Sequence, residues 1–216
     1  AADDITSTCA LDSVNNKSAG FTALECRVSD TNQMTAHSSS IVEGGATIGI
    51  GTSIWHHAHV RAGATIGDDC TIGKNVYIDI GAVVGSRCKI QNNVSIFNGV
   101  TLEDGVFVGP GAVFTNDLYP RANSELGWEI VPTHVGQGAA IGANATILCG
   151  TQLGSWSTVG AGSVLIRSTV AYELVVGNPA RHVGWTCRCG QVVSRQNDFP
   201  SGATCARCDH VLEVSQ

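Results

Sequence analysis

Four cysteines near the C-terminal end of the chain have the spacing of a metal site. They are Cys187, Cys189, Cys205 and Cys208, and 15 residues separate the first pair from the second. Two close cysteine pairs at this separation match a tetrahedral four-thiolate zinc site, although the first pair is Cys-x-Cys instead of the usual Cys-x-x-Cys. We therefore predict a closed, structural zinc ribbon over residues 185–216. Two disulfides are the alternative state of these thiols, and His210 is an alternative fourth ligand.

The residues before this tail repeat with a period of six. Aliphatic or aromatic side chains recur at Val42, Ile48, Ile54, Val60, Ile66, Ile72, Ile78, Val84, Ile90, Ile96, Leu102, Val108 and Phe114, and again at Val135, Ile141, Ile147, Leu153, Val159 and Leu165. Six is neither the helical period of 3.6 nor a simple alternation. Short strands joined by bends place every sixth side chain inward, and three such hexads make one coil of 18 residues. The period predicts an all-β parallel β-helix.

Glycine supports this interpretation of the period. The chain has 26 glycines in 216 residues, and nine of them directly follow the repeated apolar position. This content is well above the average of roughly 7%. Because a β-carbon strains tight bends, we expect these nine glycines to allow the bends between strands.

The repeat divides the chain into three parts. Residues 1–35 show no hexad, and we assign no role to this N-terminal extension. The β-helix is predicted over residues 36–184, with one interruption of 20 residues at 115–134. Segments of this length without a repeat are usually functional or disordered. Since this one is rich in apolar residues, we predict an ordered arm that packs on a neighbouring subunit.

Residues 18 positions apart lie on adjacent coils of one face, so the period also predicts which polar side chains are neighbours. One column contains Arg61, Asp79 and Phe97, and the next contains Asn98 and Asn116. These columns end where the arm leaves the coil. The sequence thus predicts a functional cluster just before the arm. The structural alternative is that the asparagines bond turns and that Arg61 and Asp79 form a simple ion pair between coils.

Composition excludes several classes of function. A formal net charge of −6 argues against nucleic acid as a partner. We find no apolar run of the roughly 18 residues that a membrane span requires, and the first residues do not resemble a signal peptide. Cys70 and Cys88 occupy inward repeat positions, where they act as small apolar residues. This usage fits a reducing cytoplasm, which is where we expect the protein.

Several segments resemble one subgroup of hexapeptide acyltransferases. They are IWHHAHVRAGATIGDDCTIGKNVYID, KIQNNVSIFNGVTLEDGVFVGPGAVFTNDLYPRA, GAAIGANATILCG and LVVGNPARHVGW. They are similar to UDP-2-acetamido-3-amino-2,3-dideoxy-glucuronate N-acetyltransferases and related nucleotide-sugar 3-N-acyltransferases. The resemblance covers roughly residues 36–186. It implies a left-handed β-helix and a homotrimer with active sites between subunits. It also implies transfer of an acetyl group from acetyl-CoA to the amine of a nucleotide-linked sugar.

The resemblance also assigns roles to residues. Asn116, from the motif FTN, is expected to hold the amine, since an amide carbonyl can orient an N–H group. No strong base is required there, because the departing CoA thiolate can take the proton. The expected substrate contacts are His56, Tyr77, Asn92, Asn98, Glu103 and Arg121. The resemblance implies CoA contacts at Asn178, Pro179 and Arg181, and we further expect CoA contacts at Gly136, Gly138 and Ala161. Backbone N–H groups near Gly136 or Gly138 lie beside the end of the arm, where they can stabilise the oxyanion.

Three other functions are alternatives, and particular residues argue for or against each of them. His134 lies where the arm rejoins the coil, and a base there would favour O-acetylation of a sugar hydroxyl. A γ-class carbonic anhydrase has a similar Trp–Arg segment, but it needs three histidines around zinc. The absence of any histidine between His59 and His134 argues against that enzyme. A non-catalytic β-helix binding module would need neither the arm nor the NPAR segment.

Overall fold

We describe the protein from a computed structural model, which covers residues 33–123, 127 and 129–213. Nearly all of the predicted N-terminal extension and part of the predicted arm lie outside these residues. Within them the chain forms 23 short strands and no helix. The same residues contain no helix long and apolar enough to cross a membrane.

The strands form three sheets, which are the three faces of the coil. The first sheet contains β1 (Thr35–Ala36), β4 (Ser53–Ile54), β7 (Thr71–Ile72), β10 (Lys89–Ile90), β13 (Phe107–Val108), β16 (Ala140–Ile141), β19 (Thr158–Val159), β21 (Glu173–Val176), β22 (Arg181–Thr186) and β23 (Val192–Ser194). The second contains β2 (Ile41–Val42), β5 (His59–Val60), β8 (Tyr77–Ile78), β11 (Ser95–Ile96), β14 (Val113–Phe114), β17 (Thr146–Ile147) and β20 (Val164–Leu165). The third contains β3 (Thr47–Ile48), β6 (Thr65–Ile66), β9 (Val83–Val84), β12 (Val100–Leu102), β15 (Thr133–Val135) and β18 (Gln152–Leu153).

The register of these sheets follows the period of the sequence. Neighbouring strands of the coils run parallel and pair residues 18 positions apart, as Ser53 pairs with Thr71 and His59 with Tyr77. The exceptions are the pairs that span the arm and the pairs of the last strands, β21 to β23. From Ile54 onward the repeated apolar side chains point inward and are almost completely buried, together with Cys70 and Cys88. Val42 and Ile48, in the first coil, are partly buried. Burial of each aliphatic side chain is worth about 1.5–3 kcal/mol before chain entropy is counted. The prediction of a parallel β-helix with a single stacked core is confirmed.

The glycines that follow the apolar positions have a different role from the one we expected. Gly67 and Gly85 do not have left-handed φ angles. A β-carbon at Gly67 would lie 2.6 Å from the backbone nitrogen of Ser86, and one at Gly85 would lie 2.7 Å from that of Asp104. These glycines are therefore required by the close approach of the next coil and not by bending. The left-handed turns occur two residues later, for example at Gly51, with φ +73°, which follows Gly49.

Three edges of the prism connect the sheets, and they carry the candidate functional residues. The first edge joins the first sheet to the second through residues 55–58, 73–76, 91–94, 109–112, 142–145 and 160–163. The second edge joins the second sheet to the third through residues 61–64, 79–82, 97–99 and the arm at 115–132. The third edge joins the third sheet to the first through residues 49–52, 67–70, 85–88, 103–106, 136–139 and 154–157.

The arm leaves the coil after β14 and returns at β15. Val131 donates its N–H to the carbonyl of Asn116, and Thr133 donates to the carbonyl of Gly99, so the two ends of the arm meet on the second edge. Leu118 and Tyr119, on the described part of the arm, are exposed. The β-helix then continues in register, since Thr101 pairs with His134 and His134 with Gln152.

The C-terminal tail is joined to the β-helix without a break. Strand β21 pairs in parallel with β19, and β22 and β23 then add two antiparallel strands to the first sheet. The boundary that we predicted between residues 184 and 185 therefore falls inside β22. Because β22 belongs to both parts, the position of the cysteine tail is fixed relative to the last coils.

Candidate active site

A groove runs along the first edge, near the N-terminal end of the β-helix. It has a volume of about 450 Å³ and is lined by Trp55, His56, Thr71, Gly73, Lys74, Ile90, Gln91 and Asn92. Trp55 exposes about half of its surface, at 51%. The groove therefore offers an aromatic surface, one ammonium group and two carboxamides on neighbouring coils. It contains two of the predicted substrate contacts, His56 and Asn92.

His56 is held in the groove by another histidine. Its ring stacks on that of His37 with centroids 3.5 Å apart. Desolvation by these neighbours and the nearby charges of His37, His57 and Lys74 lower the pKa of His56 below its ordinary value. The imidazole is therefore neutral at pH 7, and it can serve as a hydrogen-bond donor on one nitrogen and an acceptor on the other.

Asn98 and Asn116 lie together on the second edge, as the period predicted. The Nδ2 of Asn116 donates a long hydrogen bond of 3.5 Å to the carbonyl of Asn98. This bond orients the side-chain amide, and it leaves Oδ1 as the acceptor for another donor. The carbonyl of Asn116 is itself held by Val131 at the return of the arm. The amide thus occupies the coil-to-arm junction with a defined orientation.

Asp79 supports this junction from the preceding coil. It accepts hydrogen bonds from the Tyr77 hydroxyl at 3.0 Å and from Arg61 Nη1 at 3.0 Å. It also accepts from the backbone of Ile80 at 2.8 Å and of Asn98 at 3.4 Å. Burial raises the pKa of Asp79, but the hydrogen bonds outweigh burial and lower this pKa below the usual value. The ion pair between Arg61 and Asp79 is therefore present, and the Tyr77 hydroxyl is committed to the same carboxylate.

Glu103 and His134 form a pair on the third sheet and third edge. The Nε2 of His134 lies 2.8 Å from Glu103 Oε1, and the backbone of Gln137 donates to Glu103 Oε2 at 2.7 Å. Because a carboxylate only accepts, Nε2 must carry the proton, which leaves Nδ1 of the neutral ring as an acceptor. Both side chains are nearly half exposed. The pair is thus accessible and oriented as a base would be.

The backbone around Gly136 and Gly138 does not offer free N–H groups. Gly136 donates to the carbonyl of Leu153 at 2.8 Å, and Gly138 donates to that of Asp104 at 2.9 Å. The N–H of Gln137 between them is bonded to Glu103. All three N–H groups of this turn are therefore already hydrogen-bonded within the chain. In this arrangement none of them is free to stabilise an oxyanion, as we had expected near Gly136 or Gly138.

The other predicted CoA contacts lie at the C-terminal end of the first edge. Ala161 is exposed on this edge, in the last coil of the repeat. The turn that contains Asn178 and Pro179 is attached beside it, because Gly177 donates to the Ser163 hydroxyl at 3.0 Å. Arg181 begins β22 and is exposed. These residues therefore continue the line of the groove that contains Trp55 and Lys74.

The predicted site residues consequently fall into three places on one chain. The first edge carries His56, Asn92, Ala161 and the turn at Asn178, the second carries Asn98 and Asn116, and the third carries Glu103, His134, Gly136 and Gly138. Arg121 stands apart, since it is exposed on the arm and donates only to the carbonyl of Pro120 among the described contacts. Because whole faces separate the edges of a triangular coil, one chain does not bring the three places together.

The four tail cysteines do converge. Their Sγ atoms all lie within 4.8 Å of one another. The Sγ atoms of Cys187 and Cys208 are 3.5 Å apart, and those of Cys189 and Cys205 are 3.6 Å apart. A tetrahedral zinc with Zn–S bonds of 2.3 Å separates its sulfur atoms by about 3.8 Å, which fits this set, whereas a disulfide requires about 2.05 Å. His210 is not among the converging ligands, and its Nε2 is buried without a hydrogen-bond partner.

Sequence reasoning missed Lys74, which lines the groove, and His37, which stacks on His56. His37 lies 19 positions before His56, so it falls on the preceding coil next to that ring, and Lys74 lies 18 positions before Asn92. The period would have placed both on the first edge. Their importance depends on the concave shape of that edge, which the period alone does not reveal.

Comparison with known proteins agrees with the architecture. A family model described as "Bacterial transferase hexapeptide (six repeats)" matches residues 45–79 and 132–167. A second model, "Hexapeptide repeat of succinyl-transferase", matches residues 63–98. These segments contain the groove and the coils that follow the arm.

Curated relatives match shorter segments. A dTDP-3-amino-3,6-dideoxy-alpha-D-galactopyranose 3-N-acetyltransferase from Aneurinibacillus thermoaerophilus is 49% identical over 57 residues, which are 26% of this chain and 30% of that protein. A serine acetyltransferase 2 from Arabidopsis thaliana is 33% identical over 86 residues, which are 40% of this chain and 23% of that protein. The chain thus spans less than a third of the length of these two relatives.

A solved structure extends the comparison to most of the chain. The crystal structure of a UDP-N-acetylglucosamine acyltransferase from Bacteroides fragilis is similar with a TM-score of 0.60 and 19% identity, and the similarity covers 71% of this chain and 61% of that one. At this identity the similarity concerns the fold. The repeats, the 18-residue register and this similarity together establish a β-helix built of hexapeptide repeats.

Proposed function

We propose that this protein transfers an acetyl group from acetyl-CoA to the amine of a nucleotide-linked amino sugar, with a 3-amino group as the expected acceptor. The observation that carries the proposal is the 49% identity, over 57 residues, to an enzyme named for 3-N-acetylation of a dTDP-linked amino sugar. The oriented amide of Asn116 supports it independently, because an amide oxygen suits an amine acceptor.

The reaction joins two substrates without a separate covalent intermediate on the protein. The amine nitrogen attacks the thioester carbonyl and forms a C–N bond, and a tetrahedral oxyanion results. The C–S bond then breaks, the CoA thiolate leaves with the proton that the nitrogen loses, and an amide is the product. Because a neutral amine is already a good nucleophile, positioning supplies much of the rate.

Asn116 is the residue that we assign to positioning the amine. Its Nδ2 is occupied by the Asn98 carbonyl, so Oδ1 is the atom that accepts an N–H of the acceptor. This hydrogen bond directs the nitrogen lone pair away from the amide and toward the thioester. Glu103, on the third edge, is the carboxylate that we assign to hydroxyl groups of the sugar.

The groove on the first edge suits the nucleotide part of the acceptor. Its lining combines a half-exposed indole, the Lys74 ammonium and the neutral His56 imidazole. An indole face stacks on a nucleobase, and an ammonium group interacts with phosphate. Ala161, Asn178, Pro179 and Arg181 lie farther along the same edge, and we assign acetyl-CoA to them.

O-acetylation of a sugar hydroxyl is the second candidate, because the structure contains a paired histidine. Glu103 fixes the His134 tautomer that leaves Nδ1 able to accept a proton. A hydroxyl needs such a base far more than an amine does. Thiol release with UDP- and dTDP-linked amino sugars, compared with the same sugars bearing a hydroxyl at that carbon, distinguishes the two reactions. Thiol release that occurs only with the hydroxyl acceptors and that requires His134 would favour the second candidate.

We further propose a homotrimer in which neighbouring chains complete each site. The groove and the Asn116 amide lie on different edges, so a site that contains both requires an edge of one chain against an edge of the next. The exposed Leu118 and Tyr119 of the arm support such a contact. Rotational symmetry then produces three equivalent sites.

Mixed trimers of two inactive variants should recover activity if the site is shared. One variant is Asn116→Ala, and the other is the double variant His56→Ala and Lys74→Ala. In trimers reassembled from equal amounts, about one quarter of the sites contain both intact edges, so about one quarter of wild-type turnover is expected. Each variant alone, carried through the same reassembly, is the control. Turnover equal to the mean of the two controls would contradict a shared site.

We also propose that the four tail cysteines hold a structural zinc ion and that the protein acts in the cytoplasm. The convergence of four thiols, which is the full ligand set of a tetrahedral structural zinc, suits a closed site. Bound zinc would supply conformational stability to the tail. A reducing compartment keeps these thiols, and those of Cys70 and Cys88, unoxidised.

A further inference from the structure

Trp156 connects the cysteine tail to the third edge of the β-helix. It has a left-handed φ of +61°, and its backbone N–H donates to the carbonyl of Gln137 at 2.8 Å. Its ring lies directly on Gly138, where a β-carbon would overlap the six-membered part of the indole. The lack of a side chain at Gly138 is therefore what allows the indole to pack against this turn.

A residue of the cysteine tail, Arg188, also contacts the Trp156 ring. The guanidinium carbon of Arg188 lies 5.1 Å from the centre of the Trp156 ring, which is the geometry of a cation–π contact. The Nε of Arg188 also donates to the Tyr172 hydroxyl at 3.1 Å. Arg188 is the residue between Cys187 and Cys189, so the two cysteines fix its backbone from both sides.

The turn below Trp156 is the one that orients the paired histidine. Gln137 donates its N–H to Glu103 Oε2, and the other oxygen of Glu103 accepts from His134. Gly138 donates to the carbonyl of Asp104, the residue after Glu103. A displacement of this turn would therefore move the Glu103 carboxylate and, with it, the His134 ring.

We propose that Arg188 is a positioning residue of the active site, which acts by holding Trp156 on the Gly138 turn and thereby fixing the Glu103 carboxylate and His134. This gives the Cys-x-Cys pair a role beyond stability, because it presents the residue between its cysteines to the β-helix. The part of the proposal that concerns turnover rests on the proposed acetyl transfer. The part that concerns the turn does not, and it can be measured without any substrate.

Hydrogen exchange of the full-length protein, read by mass spectrometry, tests the structural part. In Arg188→Ala, peptides that contain residues 134–140 should exchange about tenfold faster, because the Gln137 and Gly138 amides lose their support. Peptides of the first edge, residues 72–76, should be unchanged. Arg195→Ala, at an exposed arginine of the same tail, is the matched control and should behave as wild type. Unchanged exchange at residues 134–140 in Arg188→Ala would overturn the proposal.

Two further variants separate positioning from loss of the tail fold. Trp156→Leu keeps all four cysteines and Arg188, and it should reproduce the faster exchange with the metal content of the wild type. Arg188→Lys keeps a cation over the indole and should restore most of the protection. If Arg188→Ala accelerates exchange only in the tail, or if Trp156→Leu leaves residues 134–140 protected, the coupling does not exist.

Turnover gives the second readout. With an acceptor that the wild type acetylates, Arg188→Ala and Trp156→Leu should lower kcat/KM for the nucleotide sugar several-fold, chiefly by raising KM, because we assign Glu103 to the sugar hydroxyls. KM for acetyl-CoA should stay near the wild-type value, because the residues that we assign to CoA lie on the first edge. An equal loss of kcat/KM for the nucleotide sugar in Arg195→Ala would contradict the assignment. A wild-type protein that releases no thiol from acetyl-CoA would refute the proposed function, whereas the exchange experiment would still decide the coupling.

Discussion

Replacing Asn116 with alanine should lower kcat for acetyl transfer about 100-fold and leave the oligomer intact. The amide oxygen that we assign to the amine disappears, and the nitrogen is then held by weaker contacts in a less favourable direction, for which a loss of this order is expected. The rest of the junction should persist, because Asn116 is held to the arm through its backbone carbonyl and not through its side chain. Steady-state thiol release and light scattering measure the two quantities.

Asn197→Ala is the matched control, since Asn197 is an exposed asparagine in the tail. It should keep the kcat of the wild type. KM for acetyl-CoA should change little in Asn116→Ala, because the residues that we assign to CoA lie on the first edge. Near-normal kcat in Asn116→Ala would show that another group positions the acceptor. A loss of activity accompanied by dissociation of the oligomer would also contradict the assignment.

Replacing Cys205 with serine should abolish stoichiometric zinc binding and release the C-terminal tail. The wild type should contain about one zinc per chain, and the variant close to none. A four-thiolate site loses most of its affinity for zinc when one of its four ligands is removed. The small cluster of Cys187, Cys205 and Leu212 is the only core of buried residues found in the described part of the tail. Without the metal this cluster is too small to fold alone, so residues 187–213 should become sensitive to protease.

Elemental analysis of the purified protein and limited proteolysis measure these effects. Cys149→Ser is the control, because Cys149 is a buried thiol of the β-helix outside the cluster. It should keep the zinc and the protease resistance of the tail, whatever it costs in β-helix stability. Wild-type protein with less than about half an equivalent of zinc, or a Cys205→Ser variant with an unchanged ratio, would contradict the metal site.

Much of the fold could be predicted because a period of six has few physical solutions. Once the apolar residues at Ile54, Ile72 and Ile90 must share one interior, residues 18 apart must be neighbours. The contacts of Asn116 with Asn98 and of Arg61 with Asp79 follow directly. The convergence of the four cysteines was likewise predictable, since the spacing of close pairs reflects the coordination of the ion.

Other parts of the site could not be obtained from the period. Glu103 and His134 are 31 positions apart, and their contact depends on where the chain returns after the arm. The period is interrupted there, so it contains no information about the length of the excursion. Gly138 was expected to offer a free N–H, but coil-to-coil hydrogen bonding uses that group. The contact of Arg188 with Trp156 depends on how the tail docks, which no repeat specifies.

The most direct test of the account follows acetyl transfer itself with purified protein, acetyl-CoA and dTDP- and UDP-linked 3-amino sugars. With at least one of these acceptors, acetyl-CoA should release CoA thiol and the sugar should gain one acetyl group as an amide. An amide survives the hydroxylamine treatment that cleaves esters. The reaction should depend strongly on Asn116 and only weakly on His134. Absence of thiol release with every amino sugar, or an acetylated product that hydroxylamine cleaves, would contradict the assignment as an N-acetyltransferase.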